Sequence, residues 1–305
     1  MNDKNNRFDE KVSIREITHS GAIDLLNAGF PYGRSALIKS LSVRFLQATQ
    51  LAPRETNLIA YHNQKKLAIG FISLVSHTKS IFSIKYVFSD PSFRQMGIAS
   101  RLLYYALAIA KERGADRIFL NAYPDSVASK LYVKCGFKRI VETYVLRGQG
   151  RTFNFAPYSK RRLFSLQTNL KRNKDSIFHI IQSSMGQRWI DFFEISNDTL
   201  FNGYSQDYQH FFCKNVFIDS SGESFAMVFI SPLRRMAYVE LYGWLDNCFH
   251  EILEALMKIL HKRGVVWINI SVFNITGRNC YNILKEKKFH TYQEIFMGKY
   301  LKKLL

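Results

Sequence analysis

The chain has 305 residues, 47% hydrophobic and 14% aromatic, enough for two domains of about 150 residues each. Six prolines and 16 glycines argue against a disordered or fibrous chain. With 43 Lys+Arg against 24 Asp+Glu the formal net charge is +19, which points to an anionic ligand, substrate or surface and says nothing of fold.

In chain order, residues 11–19 alternate apolar and polar and predict a first strand. Ser20 is placed to cap a helix over 22–30, and residues 33–50 carry apolar side chains at helical spacing. Strands over 57–61 and 66–75, joined by a turn at 62–65, and a third over 81–89 predict an antiparallel meander. A loop over 90–97 leads into a long helix, 97–113, stopped by Gly114. A strand at 117–123, a short helix at 126–134 closed by Gly136, and strands at 137–146 and 152–158 follow, then a helical stretch at 175–195.

The four cysteines, Cys135, Cys213, Cys248 and Cys280, form neither a CxxC pair nor a zinc spacing, so the reading is a reduced, cytoplasmic protein without metal. The polar first seven residues predict no secretory leader. The longest apolar run, 102–110, is about half of the ~20 residues that a membrane span needs.

The second half repeats the first. Phe71-Ile72-Ser73-Leu74 returns as Phe229-Ile230-Ser231-Pro232, and Lys111-Glu112-Arg113-Gly114 as His261-Lys262-Arg263-Gly264. The offset falls from 158 to 150 between the two markers, so the second copy is shorter around its loop, 245–247, and its anion loop is read as deleted. A basic stretch over 160–174 marks a boundary near 165, giving domains 1–164 and 165–305.

The chemistry gathers where a strand ends and the long helix begins, at Arg94-Gln95-Met96-Gly97-Ile98-Ala99-Ser100. The first turn of a helix has N–H groups without intrahelical partners and the positive end of the macrodipole. Gly97 and Ala99 allow close approach to the backbone and Arg94 adds a cation, which makes a site of diphosphate size. Neither a Walker loop nor a GxGxxG fingerprint is present.

This loop resembles the acetyl-CoA loop, Arg/Gln-x-x-Gly-x-Gly/Ala, of the GNAT superfamily of N-acetyltransferases. A second signature lies downstream, Ala128-Ser129-Lys130-Leu131-Tyr132-Val133-Lys134-Cys135-Gly136-Phe137. The motifs cover about residues 81–138, and the order of elements extends the likeness to about 10–160. The resemblance implies an α/β (α+β) fold of two tandem GNAT-like domains, each a mixed, mostly antiparallel sheet flanked by helices. It implies acetyl-CoA between the parallel strands 81–89 and 117–123, its pyrophosphate on the amides of 94–100, and backbone groups of Val87 and Ser89 on pantetheine and the thioester carbonyl. An amine would attack directly and Tyr132 would protonate the CoA thiolate. Lys134 either neutralises a CoA phosphate or is solvated.

Two residues depart from the pattern. Gln95 stands where glycine is common, which is tolerable if its backbone is helical, and Asp125 stands where an asparagine often meets the cofactor. No acid lies between Ile81 and Ser89, so Tyr86, Asn121, His62 and His77 are the polar candidates for a base. Cys135 at a helix end is not read as a nucleophile. In the second copy Leu284 takes the place of Tyr132, so this copy resembles a degenerate acetyltransferase domain. The expected partner is an amine-bearing acceptor, small molecule or protein, acidic or even a nucleic acid such as an aminoacyl-tRNA, met by a monomer. The competing reading is a non-catalytic CoA sensor or a binding module that uses the basic surface.

Overall fold

The computed structural model describes residues 12–17, 55–65, 67–77, 79–149, 163–165, 174–194, 213–219, 224–231, 235–243, 249–273 and 290–302. They form β1 (Val12–Ile17), β2 (Glu55–His62), β3 (Leu67–Ser76), β4 (Ile81–Ser89), a 3-10 turn at Pro91–Phe93, α1 (Ile98–Glu112), β5 (Arg117–Ala122), α2 (Val127–Lys134) and β6 (Lys138–Gln149). Then come β7 (Leu163–Ser165), α3 (Lys174–Met185), α4 (Gln187–Phe193), β8 (Cys213–Asp219), β9 (Ser224–Ser231), β10 (Met236–Gly243), α5 (Phe249–Lys262), β11 (Trp267–Phe273) and β12 (His290–Tyr300). The helices expected over 22–30 and 33–50, the strand over 152–158, the loop 245–247 and the second copy's signature over 277–289 lie outside the described residues. The helical stretch expected over 175–195 is two helices, because Gly186 adopts φ +78° and ψ 164° between them.

The chain divides into two compact units. The first comprises Met1–Asn121, Lys130–Lys138 and Gly298–Leu305. There β2, β3 and β4 pair as the expected antiparallel meander, β1 adds antiparallel beside β2, and β5 joins β4 in parallel. In α1 the residues Ile98, Leu102, Leu103, Ala106, Leu107 and Ala110 are buried, a stripe at three- and four-residue spacing that packs on the sheet. Gly70 on β3 makes the close packing possible: a Cβ there would meet Ile98 Cγ2 at 2.6 Å and Leu102 Cδ1 at 2.9 Å.

The second unit comprises Ala122–Ser129 and Arg139–Met297. Its strands lie in the order β12-β6-β11-β10-β9-β8-β7, so β6, which precedes residue 165, is a strand of this unit and pairs antiparallel with β11. Leu253, Leu256, Met257 and Leu260 of α5 join Val228, Val239, Leu241, Ile268 and Ile270 in one apolar core. The order β8-β9-β10-α5-β11 repeats β2-β3-β4-α1-β5, including two antiparallel junctions and a final parallel one. Eight residues join β4 to α1 and five join β10 to α5. The shortening of the second copy is therefore only partly in this loop; the rest falls in strand ends and helix length.

Candidate active site

The site is set up by a fault in β4. Gly70 pairs with Ser89 and Phe71 with Phe88, but Ser73 pairs with Lys85, so β4 carries one more residue than β3 across this stretch. Tyr86 absorbs the extra residue at φ +56°. Such a bulge bends the strand and increases its twist. The parallel ladder to β5 runs through Ile81–Arg117, Phe82–Ile118 and Ser83–Phe119 and ends there, although β4 continues to Ser89. The two strands part. Burial follows the geometry: Phe82, Ser83 and Ile84 are buried, Lys85 and Tyr86 are exposed, and Val87, Phe88 and Ser89 are half-buried. The Ser89 side-chain oxygen is itself buried with no hydrogen-bond partner among the described residues, which marks a polar group left for something else to satisfy.

The loop beyond β4 is pinned at both ends and open in the middle. Asp90 donates its N–H to the Ile69 carbonyl at 2.9 Å, and its carboxylate accepts the Ser92 N–H at 2.8 Å. Phe93 is buried edge-on to the His62 ring, with 5.6 Å between centroids, and the Lys65 ammonium lies 4.9 Å from the Phe93 centroid. Ile98 is buried in the first turn of α1. Between these anchors Arg94, Gln95, Met96 and Gly97 are exposed, with Ala99 and Ser100 half-buried behind them. Gly97 caps α1 at φ +76° without a side-chain cap bond, and a Cβ built on it meets nothing within 4 Å among the described residues. The helix start thus offers its leading N–H groups and its dipole to open space beside an arginine, an arrangement suited to an anion. The Gln95 backbone is left-handed at φ +64°, not helical as its tolerance in the motif required. A non-glycine residue in that region costs about 1–2 kcal/mol.

Tyr132 owes its place to the way α2 stops. Gly136 at φ +86° donates to the Val133 carbonyl at 2.9 Å, and Phe137 donates to the Tyr132 carbonyl at 3.0 Å. This pair of bonds is a Schellman cap. Its usual apolar contact is present as well, with the Tyr132 and Phe137 ring centroids 6.2 Å apart. The spacing Tyr-x-x-x-Gly-Phe is therefore a helix stop that fixes the tyrosine. Tyr132 is 5% exposed. Burial pushes its phenol up to about 12, and the neighbouring Cys135 thiol acts in the same direction. The group is a neutral proton carrier throughout the physiological range.

Burial likewise pushes the Cys135 thiol up, against opposing effects of a hydrogen bond from Tyr104 and the Lys299 charge. This agrees with reading the thiol as inert. Lys134 is exposed. Among the candidates for a base, Tyr86 and Asn121 lie on the diverging segments of β4 and β5, and both are exposed. His62 packs under the loop, and His77 stacks on Phe119 with Nε2 2.7 Å from Ser83 Oγ, on the paired side of the strand junction. Sequence reasoning missed Gly70, Tyr104 and Lys299. A glycine within an apolar strand run was the one available signal, for Gly70.

Residues 22–137 match the model of the acetyltransferase (GNAT) family. Among solved structures, a GCN5-related N-acetyltransferase from Sphaerobacter thermophilus is 13% identical with a TM-score of 0.60, covering 96% of this chain and 97% of that one. The fold is that of the GNAT acetyltransferases. A putative acetyltransferase from Pyrococcus horikoshii is 14% identical, covers 96% and 90% of the two chains, and has a TM-score of 0.51. A tandem GNAT protein from the clavulanic acid biosynthesis pathway is 9% identical, covers 96% and 99%, and has a TM-score of 0.51. No curated protein matches the sequence. Placed on the GNAT fold, the parted strands and the Gly97 helix start lie together within the region that the family match covers. Among the described residues, no helix is long and apolar enough to cross a membrane.

Proposed function

We propose that the first unit transfers an acetyl group from acetyl-CoA to a primary amine, and that the second copy keeps the fold without binding acetyl-CoA. The family match supports acyl-CoA-dependent N-acyltransfer in general. The observation that carries the finer reading is the parting of β4 from β5 beside a helix start that is open over Gly97.

Acetyl-CoA is then a substrate, supplying an acyl group activated as a thioester. Arg94 and the N–H groups of Gln95, Met96, Gly97, Ile98, Ala99 and Ser100 would hold its pyrophosphate, where each N–H to anion bond is charge-assisted. Backbone groups of Val87 and Ser89 would hold pantetheine and polarise the carbonyl, with the buried Ser89 hydroxyl beside them. The amine attacks the carbonyl carbon directly, the carbon–sulfur bond breaks, Tyr132 gives its proton to the thiolate sulfur, and the proton that the amine nitrogen sheds passes to solvent, from which the phenol is reprotonated. A phenol held neutral by burial keeps that proton available. Lys134, exposed at the end of α2, screens CoA phosphates. The acceptor is an amine-bearing small molecule or protein, acidic in character given the basic chain, and the enzyme works as a monomer in the cytoplasm.

The second copy is read as silent because its strands leave no gap and its Glu240 carboxylate is buried in the corresponding part of β10, hydrogen-bonded by the Tyr242 hydroxyl at 2.9 Å. A carboxylate there opposes an anionic ligand.

The reading is tested by following thiol release from acetyl-CoA over a panel of polyamines, aminoglycosides and peptide amines. Tyr132→Phe is expected to lower kcat by about 10²-fold at unchanged acetyl-CoA affinity. Binding of acetyl-CoA without thiol release with any of these amines favours the sensor reading instead.

A further inference from the structure

The last residues of the chain belong to the first unit. Lys299 donates from Nζ to the Cys135 carbonyl at 2.7 Å, and a Cβ built on Gly136 would lie 3.3 Å from that nitrogen. Two residues on, the Leu301 N–H donates to the Asp116 carbonyl at 2.8 Å, and the Lys302 ammonium lies 2.6 Å from the Asp116 carboxylate. The Arg117 guanidinium stands 5.9 Å from the Tyr300 ring centroid. The terminal segment therefore spans from the start of β5 to the C-terminus of α2.

At that C-terminus the last carbonyls of the helix have no intrahelical donors. Phe137 and Gly136 serve the Tyr132 and Val133 carbonyls, Cys135 itself donates to the Leu131 carbonyl, and the Cys135 carbonyl is served by Lys299. An ammonium at this end also meets the negative pole of the helix. Tyr132 lies one turn before Cys135, and both its carbonyl and its ring depend on the chain course that this cap fixes.

We infer that Lys299 is a positioning residue for the Tyr132 proton donor, supplied from 164 residues beyond the helix that it caps. The inference rests on the acyltransfer reading of the first unit. Lys299 belongs to the first unit together with the helix end that it caps.

The test uses full-length Lys299→Met and Lys299→Arg. One readout is amide hydrogen exchange at Gly136 and Phe137, which needs no activity. The other is kcat and KM for acetyl-CoA-dependent thiol release with the best amine of the panel. Lys299→Met is expected to speed exchange at both amides and to lower kcat about tenfold, with acetyl-CoA affinity within about twofold of wild type. Lys299→Arg, which keeps a charged donor, is expected to restore most of kcat. If Lys299→Met does not fold, Lys299→Gln carries the same comparison. An unchanged kcat, or a loss that the arginine variant shares in full, overturns the inference. Wild-type protein that releases no thiol overturns the acyltransfer reading itself, while exchange at Gly136 and Phe137 still reports on the cap.

Discussion

The pairs β4–β5 and β10–β11 occupy the same place in two copies of one element order, yet they finish differently. Both are parallel junctions that follow an antiparallel one and a long helix. The first pairs over three residues, Ile81–Ser83 with Arg117–Phe119, and then opens. The second pairs over seven, Met236–Tyr242 with Trp267–Phe273, with no break in register. The strand before each junction shows why. β4 has a bulge at Tyr86 and turns away from β5, whereas β10 pairs with β9 without interruption from Met236 to Gly243. Burial reports the same contrast. The last four residues of β10, Glu240 to Gly243, are all buried, and the last five of β4 are exposed or half-buried. One inserted residue thus separates a strand end that is open to a ligand from one that is closed by its own neighbour.

The comparison sharpens through the core of the second copy. Leu256 is fully buried among Val228, Leu241 and Ile270, so Leu256→Ala is expected to destabilise the protein by about 2–5 kcal/mol in denaturant unfolding. Acetyl-CoA affinity of the folded variant should not change. Lost affinity would show that the closed junction takes part in binding.

The next largest effect concerns Tyr132. Its folded-state phenol titrates at about 12 against 10.0 for the ordinary group. Its contribution to stability is therefore fully present below pH 10 and is lost as pH rises from 10 to 12. The loss is on the order of 2–3 kcal/mol relative to Tyr132→Phe, which lacks the group. Parallel pH profiles of wild type and variant over that window would contradict the burial account.

The smallest effect lies in the loop. Gln95→Gly removes a left-handed side-chain residue, a relief of about 1–2 kcal/mol, against the greater unfolded-state freedom of glycine. A gain below about 1 kcal/mol, read as a small rise in Tm, is the expected net. A loss would mean that the Gln95 side chain makes a contact worth more than the strain.

Much of the architecture was legible because local signals agreed. The alternation in β1, the turn between β2 and β3, the apolar stripe of α1 with Gly114 after it, and the Gly136-Phe137 stop of α2 each name their element and its limit. The opening of the site was not legible. The bulge sits at Tyr86, which is neither glycine nor asparagine, and it depends on how β4 registers against β3 rather than on any residue type. The condition set for Gln95, a helical backbone, is not met: in a loop held by Asp90 and Phe93 its φ is +64°, and the residue type carries no mark of that. Lys299 could not be found at all, because a bond across 164 residues leaves no mark in local spacing. The shortening of the second copy was real, but two markers could not say where it fell, and only part of it lies in the loop.

The most direct test of the account is calorimetric titration of acetyl-CoA into the wild type and Gly97→Asp. The aspartate would place a carboxylate in the open space over the helix start and force a side-chain residue to φ +76°. The account predicts one site per chain in the wild type and loss of that site in the variant. Two sites per chain, or one site that survives Gly97→Asp, would contradict it.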